Sequence, residues 1–489
     1  MRIEKYIVTE LSTFPPEGFT GRRKIKTNVR KITNQNVVGV LSEALGVHAL
    51  NAAEIHYLYG VYTGKQDIRF KQKFQRENIN NKVVVNRANE IVTFKSSYLL
   101  SAPFQYSSYS ADKETSDKIQ KLNDYMRSED KESKDKEIVD WVHICGVGER
   151  LALPTESGEA PFAAYTIDPW DAFVIYSSSV GEEPMAGVIL QLEEDGTQYA
   201  TVYTVDTKFE IHGDNVTAIP NLLGGVPLVE YVSNRARLGA FEIVLSILNN
   251  INMLESSAVD SVQDFVNGFD VFQNCEIADG TYGQLAIGGK AVNIKSTTQG
   301  MEAKVYRIAS EINQTGVQTR IDDLTDAYLT ICGMPNRNGG TSTSDTGTAV
   351  VYRDGWAAAE ARAADTEKMF KRSERQFLKI ILRICHLDLD INDIKVENLR
   401  ASLSNLQTKV QVLCQMLDNP KIHPKLAFDA ASLFPDNENA YRISMEYAAK
   451  RQAAEEANLE KELDNARAEA VRAFRHNNQE SAQESDQEI

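Results

Sequence analysis

Cysteine is scarce and scattered in this chain. The five residues, Cys145, Cys275, Cys332, Cys385 and Cys414, are odd in number and include no C-x-x-C pair. That distribution excludes a disulfide framework and a structural zinc cluster, and fits buried thiols in a reducing compartment. Basic charge is also in deficit. Lys and Arg total 53 against 69 Asp and Glu, a formal net charge of -16, so the chain lacks the excess of cations that tight phosphate gripping needs. A surface along which nucleic acid slides without sticking is still compatible with this balance. Long apolar runs are missing as well. The most apolar helix-length window, Val244 to Leu254, is interrupted by Asn249, Asn250 and Asn252, so no membrane span is expected. The charged N-terminus does not read as a signal peptide.

Catalytic signatures are absent in the same way. The nearest approach to a phosphate-binding loop, Gly60 to Gln66, has three residues between its glycines where four are needed, and Gln66 stands where Ser or Thr would hold magnesium. No H-E-x-x-H or G-x-S-x-G motif occurs. Asp388 to Asp393 resembles a calcium loop, yet Asp393 and Leu399 occupy the positions that require glycine and glutamate, so the segment reads as a turn. His143 and His212 lack partners at metal spacing and read as structural. The expectation is a non-enzyme with no catalytic residues, no metal and no cofactor.

What the chain does contain is organised around Met334 to Leu387. Pro335 to Gly347 is built from Gly, Asn, Ser and Thr, which offer too little apolar surface to offset backbone ordering, and reads as a loop. Ser344 or Asp345 could cap the helix that follows. Phe370, Phe377, Ile381 and Ile384 form one helical stripe. A helix over 347–387 would be ~60 Å long, with an alanine-rich first half and Gly355 as a possible kink. Two readings fit: a surface lid followed by a spanning helix, or a helix packed against copies of itself with the loop projecting inward.

In chain order, residues 1–35 read as a basic, irregular arm containing Arg22, Arg23 and Lys24. Two short helices are predicted at Asn36–Ala44 and Asn51–Tyr62, a buried strand at Val83–Val85, and helices at Ala88–Leu99 and Thr115–Arg127. Ser128–Lys136 reads as a charged separator. Short strands follow at Arg150–Leu153, Ala163–Ile167, Ala172–Tyr176, Met185–Leu192, Tyr199–Val205 and Lys208–His212. Leu238–Val266 is a long helix, Phe269–Ile308 alternates short strands with glycine turns, and a second helix ends at Gly333 and Pro335. Helical segments at Val396–Leu417, Pro424–Leu433 and Ala440–Phe474 precede a polar tail from His476 that is not expected to fold alone.

Four stretches carry a family resemblance. Tyr62, Gly64 and Ile68 fit Y-x-G-x-x-x-I, and Asn81, Lys82 and Asn86 fit N-K-x-x-x-N. Tyr98, Leu99 and Pro103 fit Y-L-x-G-x-P with Ser101 for the usual glycine, and Gly224 to Asn234 is a G-x-hydrophobic-P strand ending in Asn. Over roughly residues 40–440 the chain resembles the portal proteins of long-tailed double-stranded DNA bacteriophages. The resemblance implies an α+β, mainly helical ring subunit divided as arm 1–35, wing 36–236, first stem helix 237–267, clip 268–308, second stem helix 309–334, tunnel loop 335–346, long wing helix 347–387, crown 388–474 and disordered acidic tail 475–489. It implies a ring of about twelve copies at one capsid vertex of the virion, assembled in the host cytoplasm. Its partners would be the terminase large subunit, which hydrolyses the ATP, a head completion or adaptor protein, the major capsid and scaffolding proteins, and duplex DNA in the channel. The tunnel-loop residues would be Arg337, Asn338, Gly339, Gly340, Thr341, Ser342, Thr343 and Ser344. Arg337 and Asp345 nearly cancel, and the hydroxyls suit weak, exchangeable phosphate contacts. Partner-facing clip residues would include Asp279, Lys290, Lys295 and Lys304. The alternative is a virion ring or scaffold protein without an axial channel.

Overall fold

The computed structural model describes residues 21–74, 77–109, 112–156, 158–266, 269–277, 294–296, 301–302, 304–308, 314–336, 355–398, 400, 406–431, 433–434 and 437–485. The fold is α+β and mainly helical. It divides into two compact units, Met1–Ser101 with Met126–Leu387, and Ala102–Tyr125 with Asp388–Ile489.

In the first unit, α1 (Val37–Tyr62) covers a six-stranded sheet. The sheet contains β1 (Lys26–Thr27), β5 (Ala172–Ser177), β6 (Pro184–Leu192), β7 (Gln198–Thr204), β8 (Thr207–His212) and β9 (Asn215–Pro220), in that order. β1 is parallel to β5 and the other neighbours are antiparallel. All six predicted strands between Arg150 and His212 are present. Their apolar residues, including Phe173, Ile175, Val188, Val202, Phe209 and Ile211, meet Val37, Leu41 and Leu45 of α1. A smaller antiparallel sheet places β3 (Val147–Pro154) between β4 (Phe162–Ile167) and β10 (Leu228–Val232).

A further core lies among α1, α2 (Arg87–Leu99), α4 (Lys131–Cys145), α5 (Leu245–Val266) and α6 (Gln314–Cys332). Ile55, Leu58, Ile91, Phe241, Val244, Leu248 and Tyr328 are almost fully excluded from water there. The long α7 (Trp356–Ile384) lies along β10 and β3 with its Phe370, Phe377 and Ile381 buried.

Several expectations are corrected. The two short helices are one 26-residue helix. Polar residues at and before the expected start of the second are satisfied within the fold: Asn51 exchanges hydrogen bonds of 2.9 and 2.8 Å with the Arg23 backbone, and His48 Nε2 lies 2.8 Å from the Trp170 carbonyl. The described part of the basic arm is built into the fold. Arg22 is buried between Glu54, at 3.1 Å, and Glu242, while Lys24 and Lys26 both reach Glu182 at 2.6 Å. Most of the supposed charged separator, from Lys131 onward, is the first turn of α4. Val83–Val85 is extended but joins no sheet, because its N–H groups are taken by side chains of α5. The α7 helix starts at Trp356, with Gly355 at φ 85° as its N-cap instead of a kink inside a longer helix. A left-handed residue cannot continue a right-handed helix; the proposed Ser344 or Asp345 cap lies outside the described residues.

In the second unit, β2 (Gln105–Ser108) pairs antiparallel with β15 (Ile394–Glu397), so Val396 is in a strand and not at a helix start. The Asn123 side chain of α3 (Lys113–Ser128, whose last residues belong to the first unit) brackets the Tyr106 backbone at 3.3 and 2.8 Å. A separate small core joins Leu413 of α8 (Leu406–Leu417) to Ala427 and Phe428 of α9 (Pro424–Ala431). α10 (Asn437–Ser485) is 49 residues long and largely exposed. It includes most of the stretch expected to be an unfolded tail, since no glycine or proline intervenes to stop an Ala- and Glu-rich helix from propagating.

Candidate functional site

The stretch read in the sequence as a loop, Pro335 to Gly347, follows α6, and residues 337–354 lie outside the described residues between α6 and α7. α6 ends at Gly333, whose φ of 65° suits only glycine comfortably, and the Met334 N–H closes back on the Leu329 carbonyl at 2.8 Å. Met334 is buried, and Asn336 donates to Asp326 at 2.8 Å. A Cβ at Gly355 would lie 3.6 Å from both the Met334 carbonyl oxygen and the Pro335 Cα. The two feet of the segment are therefore in contact.

Aromatic rings fasten the second foot. Trp356 lies 6.1 Å, between ring centroids, from both Phe94 and Tyr98 of α2, which stack on each other at 5.8 Å. The Tyr98 hydroxyl donates to Glu360 at 2.9 Å. Further along α7, Glu374 sits on the buried stripe between Phe370 and Phe377. It accepts from the Tyr231 hydroxyl at 2.6 Å and faces Lys131 at 3.1 Å and Arg150 at 3.6 Å. Asp135 pairs with the same two cations at 2.6 Å each. Two carboxylates and two cations thus neutralise each other out of water, which such burial requires. Burial pushes the Tyr231 hydroxyl well above its ordinary pKa, so it stays a donor.

The two long helices α5 and α6 flank two strand pairs. β11 (Phe269–Gln273) is antiparallel to β14 (Lys304–Ile308), and β12 (Cys275–Ile277) to β13 (Ile294–Ser296). α5 presents polar side chains to the neighbouring extended chain. Asn252 Oδ1 accepts from the Val85 N–H at 2.8 Å, Ser256 Oγ from Val83 at 2.9 Å, and Asp260 from Asn81 at 2.6 Å. Burial would raise the Asp260 carboxyl, but hydrogen bonds from Lys71 and from the Asn81 backbone and side chain hold it down to about 2. Of the asparagines that interrupt the apolar window, Asn252 is thus a backbone ligand, whereas Asn249 donates to the Asp67 side chain and Asn250 to the Ser246 carbonyl of its own helix.

The predicted site residues fare unevenly. Arg337, Asn338, Gly339, Gly340, Thr341, Ser342, Thr343 and Ser344 lie outside the described residues, as do Asp279 and Lys290. Lys295 is on β13 opposite Glu276, and Lys304 is exposed on β14 within 3.1 Å of Glu302. The residues that sequence reasoning missed are the anchors. Trp356 directly follows a glycine, and Glu374 is a lone charge on an apolar stripe, and either signal could have marked them.

The histidines and cysteines whose pKa values are shifted lie at dispersed positions and owe the shift to burial. Burial lowers His143 to about 3, with Lys95 and Lys136 adding to it, and lowers His48 to about 4. Burial also pushes the Cys145 thiol up to about 12. Ser96 Oγ lies 3.0 Å from His143 Nδ1, but both are buried, the ring is held neutral, and no described carboxylate orients it. Among the described residues no helix is long and apolar enough to cross a membrane, and no three His, Cys, Asp or Glu converge as a metal site.

Compared with known proteins, residues 44–465 match a family model described as phage portal protein, SPP1 Gp6-like. No curated protein matches the chain. One solved structure, the neck of an empty GTA particle computed with C6 symmetry, aligns over 71% of this chain and 90% of its own at 10% identity and a TM-score of 0.39.

Proposed function

The chain belongs to the phage portal protein family, and from that premise we propose that copies of it close into a ring at one capsid vertex, through which the genome enters and leaves. Portal proteins are structural components of the virion. We read this chain as passive, with ATP hydrolysed by a terminase docked on the ring, and with a head completion or adaptor protein taking the terminase's place later. Capsid and scaffolding proteins would surround it. Twelve copies is the number that the resemblance implies.

The single observation that best supports a channel is the joined feet of 337–354. The described chain ends at Pro335 and Gly355 lie side by side, so the loop expected between them would start and finish on one base. In this reading Thr341, Ser342, Thr343 and Ser344 offer hydroxyls to passing phosphates, Arg337 and Asp345 nearly cancel, and Gly339 and Gly340 let the backbone follow the groove. α5 and α6 would form the stem. The strand pairs between them would form the clip, with Asp279, Lys290, Lys295 and Lys304 facing terminase or adaptor.

Electron microscopy of the purified protein tests the ring. Views along the axis should show a closed assembly with a central hole; a solid or open assembly would refute the channel. Deleting Gly339 to Thr343 tests the loop. Rings should assemble normally and fill heads poorly, whereas full heads at the normal rate would sink the assignment.

A further inference from the structure

Lys95 on α2 and Arg362 on α7 line one small cavity, shared with Tyr98, His143, Gly333 and Thr366. No carboxylate lines it. The nearest acid on the same stretch of α7, Glu360, takes its hydrogen bond from Tyr98. Among the described residues neither the Lys95 nor the Arg362 side chain makes a hydrogen bond or an ion pair. Among the described residues the two cations share this pocket without a counter-charge; Arg362 is exposed, but Lys95 is half-buried, where a charge is ordinarily paired.

The surroundings register the same imbalance. Burial depresses the Lys95 pKa, and Arg362 adds to the effect. His143 is kept neutral by burial and by Lys95. Burial raises the Cys332 thiol to about 11 even though both cations pull it the other way. Gly333 shapes the wall, since a Cβ there would stand 2.8 Å from Arg362 Cγ and 3.5 Å from its Nε. A side chain at 333 would push the guanidinium stem out of place.

We propose that this cavity is an oxyanion site whose ligand is a phosphate group. The enclosed volume is about 20 Å³, room for roughly one water-sized atom. One phosphate oxygen enters beside the Lys95 ammonium, and the remaining oxygens stay at the mouth, where the exposed Arg362 fork can take two of them. The phosphate comes either from free orthophosphate or from the backbone of a DNA duplex. The site does not depend on the channel reading, because orthophosphate fits it equally well.

The test uses the assembled full-length protein at constant ionic strength in chloride. Thermal melts and titration calorimetry are run with orthophosphate and, separately, with a short DNA duplex. Wild type should bind and be stabilised by at least one of them. Lys95→Met and Arg362→Gln should each weaken that binding by about tenfold or more. Lys95→Met should melt no lower than wild type in chloride alone, since it removes an unpaired charge. Arg362 is exposed, so its variant keeps the test open should Lys95→Met misfold. Stabilisation by orthophosphate alone identifies a free anion as ligand, and by duplex alone a DNA backbone; either outcome supports the site. Binding of neither ligand, equal binding in both variants, or an equal effect from added chloride overturns it.

Discussion

Glu374→Gln should be the most damaging single isosteric change in the first unit. The wild-type cluster contains two buried carboxylates, Asp135 and Glu374, and two buried cations, Lys131 and Arg150. Neutralising Glu374 leaves one surplus positive charge that water cannot reach. Breaking a buried pair in this way costs about 3–5 kcal/mol. With an unfolding slope of about 3 kcal/mol per molar urea, the midpoint should fall by about 1–1.7 M. The three tryptophans, Trp141, Trp170 and Trp356, all belong to the first unit, so their fluorescence reports its unfolding without contribution from the second. Protein concentration must be fixed, because subunit association adds to apparent stability. Adding Lys131→Met restores a neutral cluster of Arg150 and Asp135, and should recover about half of the loss. A loss below about 1 kcal/mol, the worth of a surface pair, would refute the claim that the cluster is dry and mutually dependent.

Burial, and then the neighbouring charge of Glu230, raise the Glu149 pKa well above its ordinary 4.5. A raised folded-state pKa means that stability is fully present below the unfolded value and is lost as pH rises through the folded one. Glu149→Gln should therefore melt about 2–4 °C above wild type at pH 7 to 8. The gap should close as the pH approaches 4.5; a gap independent of pH would contradict the assignment. At Gly146 the φ is 85° and a Cβ would sit 2.2 Å from the Arg237 carbonyl oxygen, whereas at Gly213 the φ is 64° with nothing within 4 Å. Gly213→Ala should cost about 1 kcal/mol from its backbone alone. Gly146→Ala should cost more than about 3 kcal/mol or fail to accumulate as soluble protein, and near-equal melting curves would show that the clash is relieved cheaply.

Local periodicity made much of this fold readable. Strands from Arg150 to His212 are short, mostly apolar runs between clear turn signals, and Ala88–Leu99 has a regular apolar stripe with Asn86 ready to cap it, as its bond from the Asn89 N–H shows. What periodicity could not convey was long-range polar pairing. Asn51 looks like the start of a helix until the Arg23 backbone is placed against it in mid-helix, and Lys131 and Asp135 look like solvent-exposed charge until Arg150 and Glu374 arrive from elsewhere in the chain. Val83–Val85 has strand-like composition, but its hydrogen bonds go to side chains of a helix about 170 residues away in sequence. The motif residues have the same kind of role. Asn86 caps α2, donates to the Tyr62 carbonyl at 2.9 Å and accepts from Gln66 at 2.9 Å, so it splices three segments together. The loop itself was legible only as a composition, and the pocket between Lys95 and Arg362 was not legible at all, since the two residues are 267 positions apart.

α7 is gripped by rings at Trp356 and by buried charge at Glu374, eighteen residues or ~27 Å further along an unbroken helix. A rod of that kind transmits a push along its length instead of absorbing it. Any thrust delivered to the foot beside Gly355 would be felt at the junction of β3 and β10, where yielding means prising apart four charges that have no solvent to fall back on.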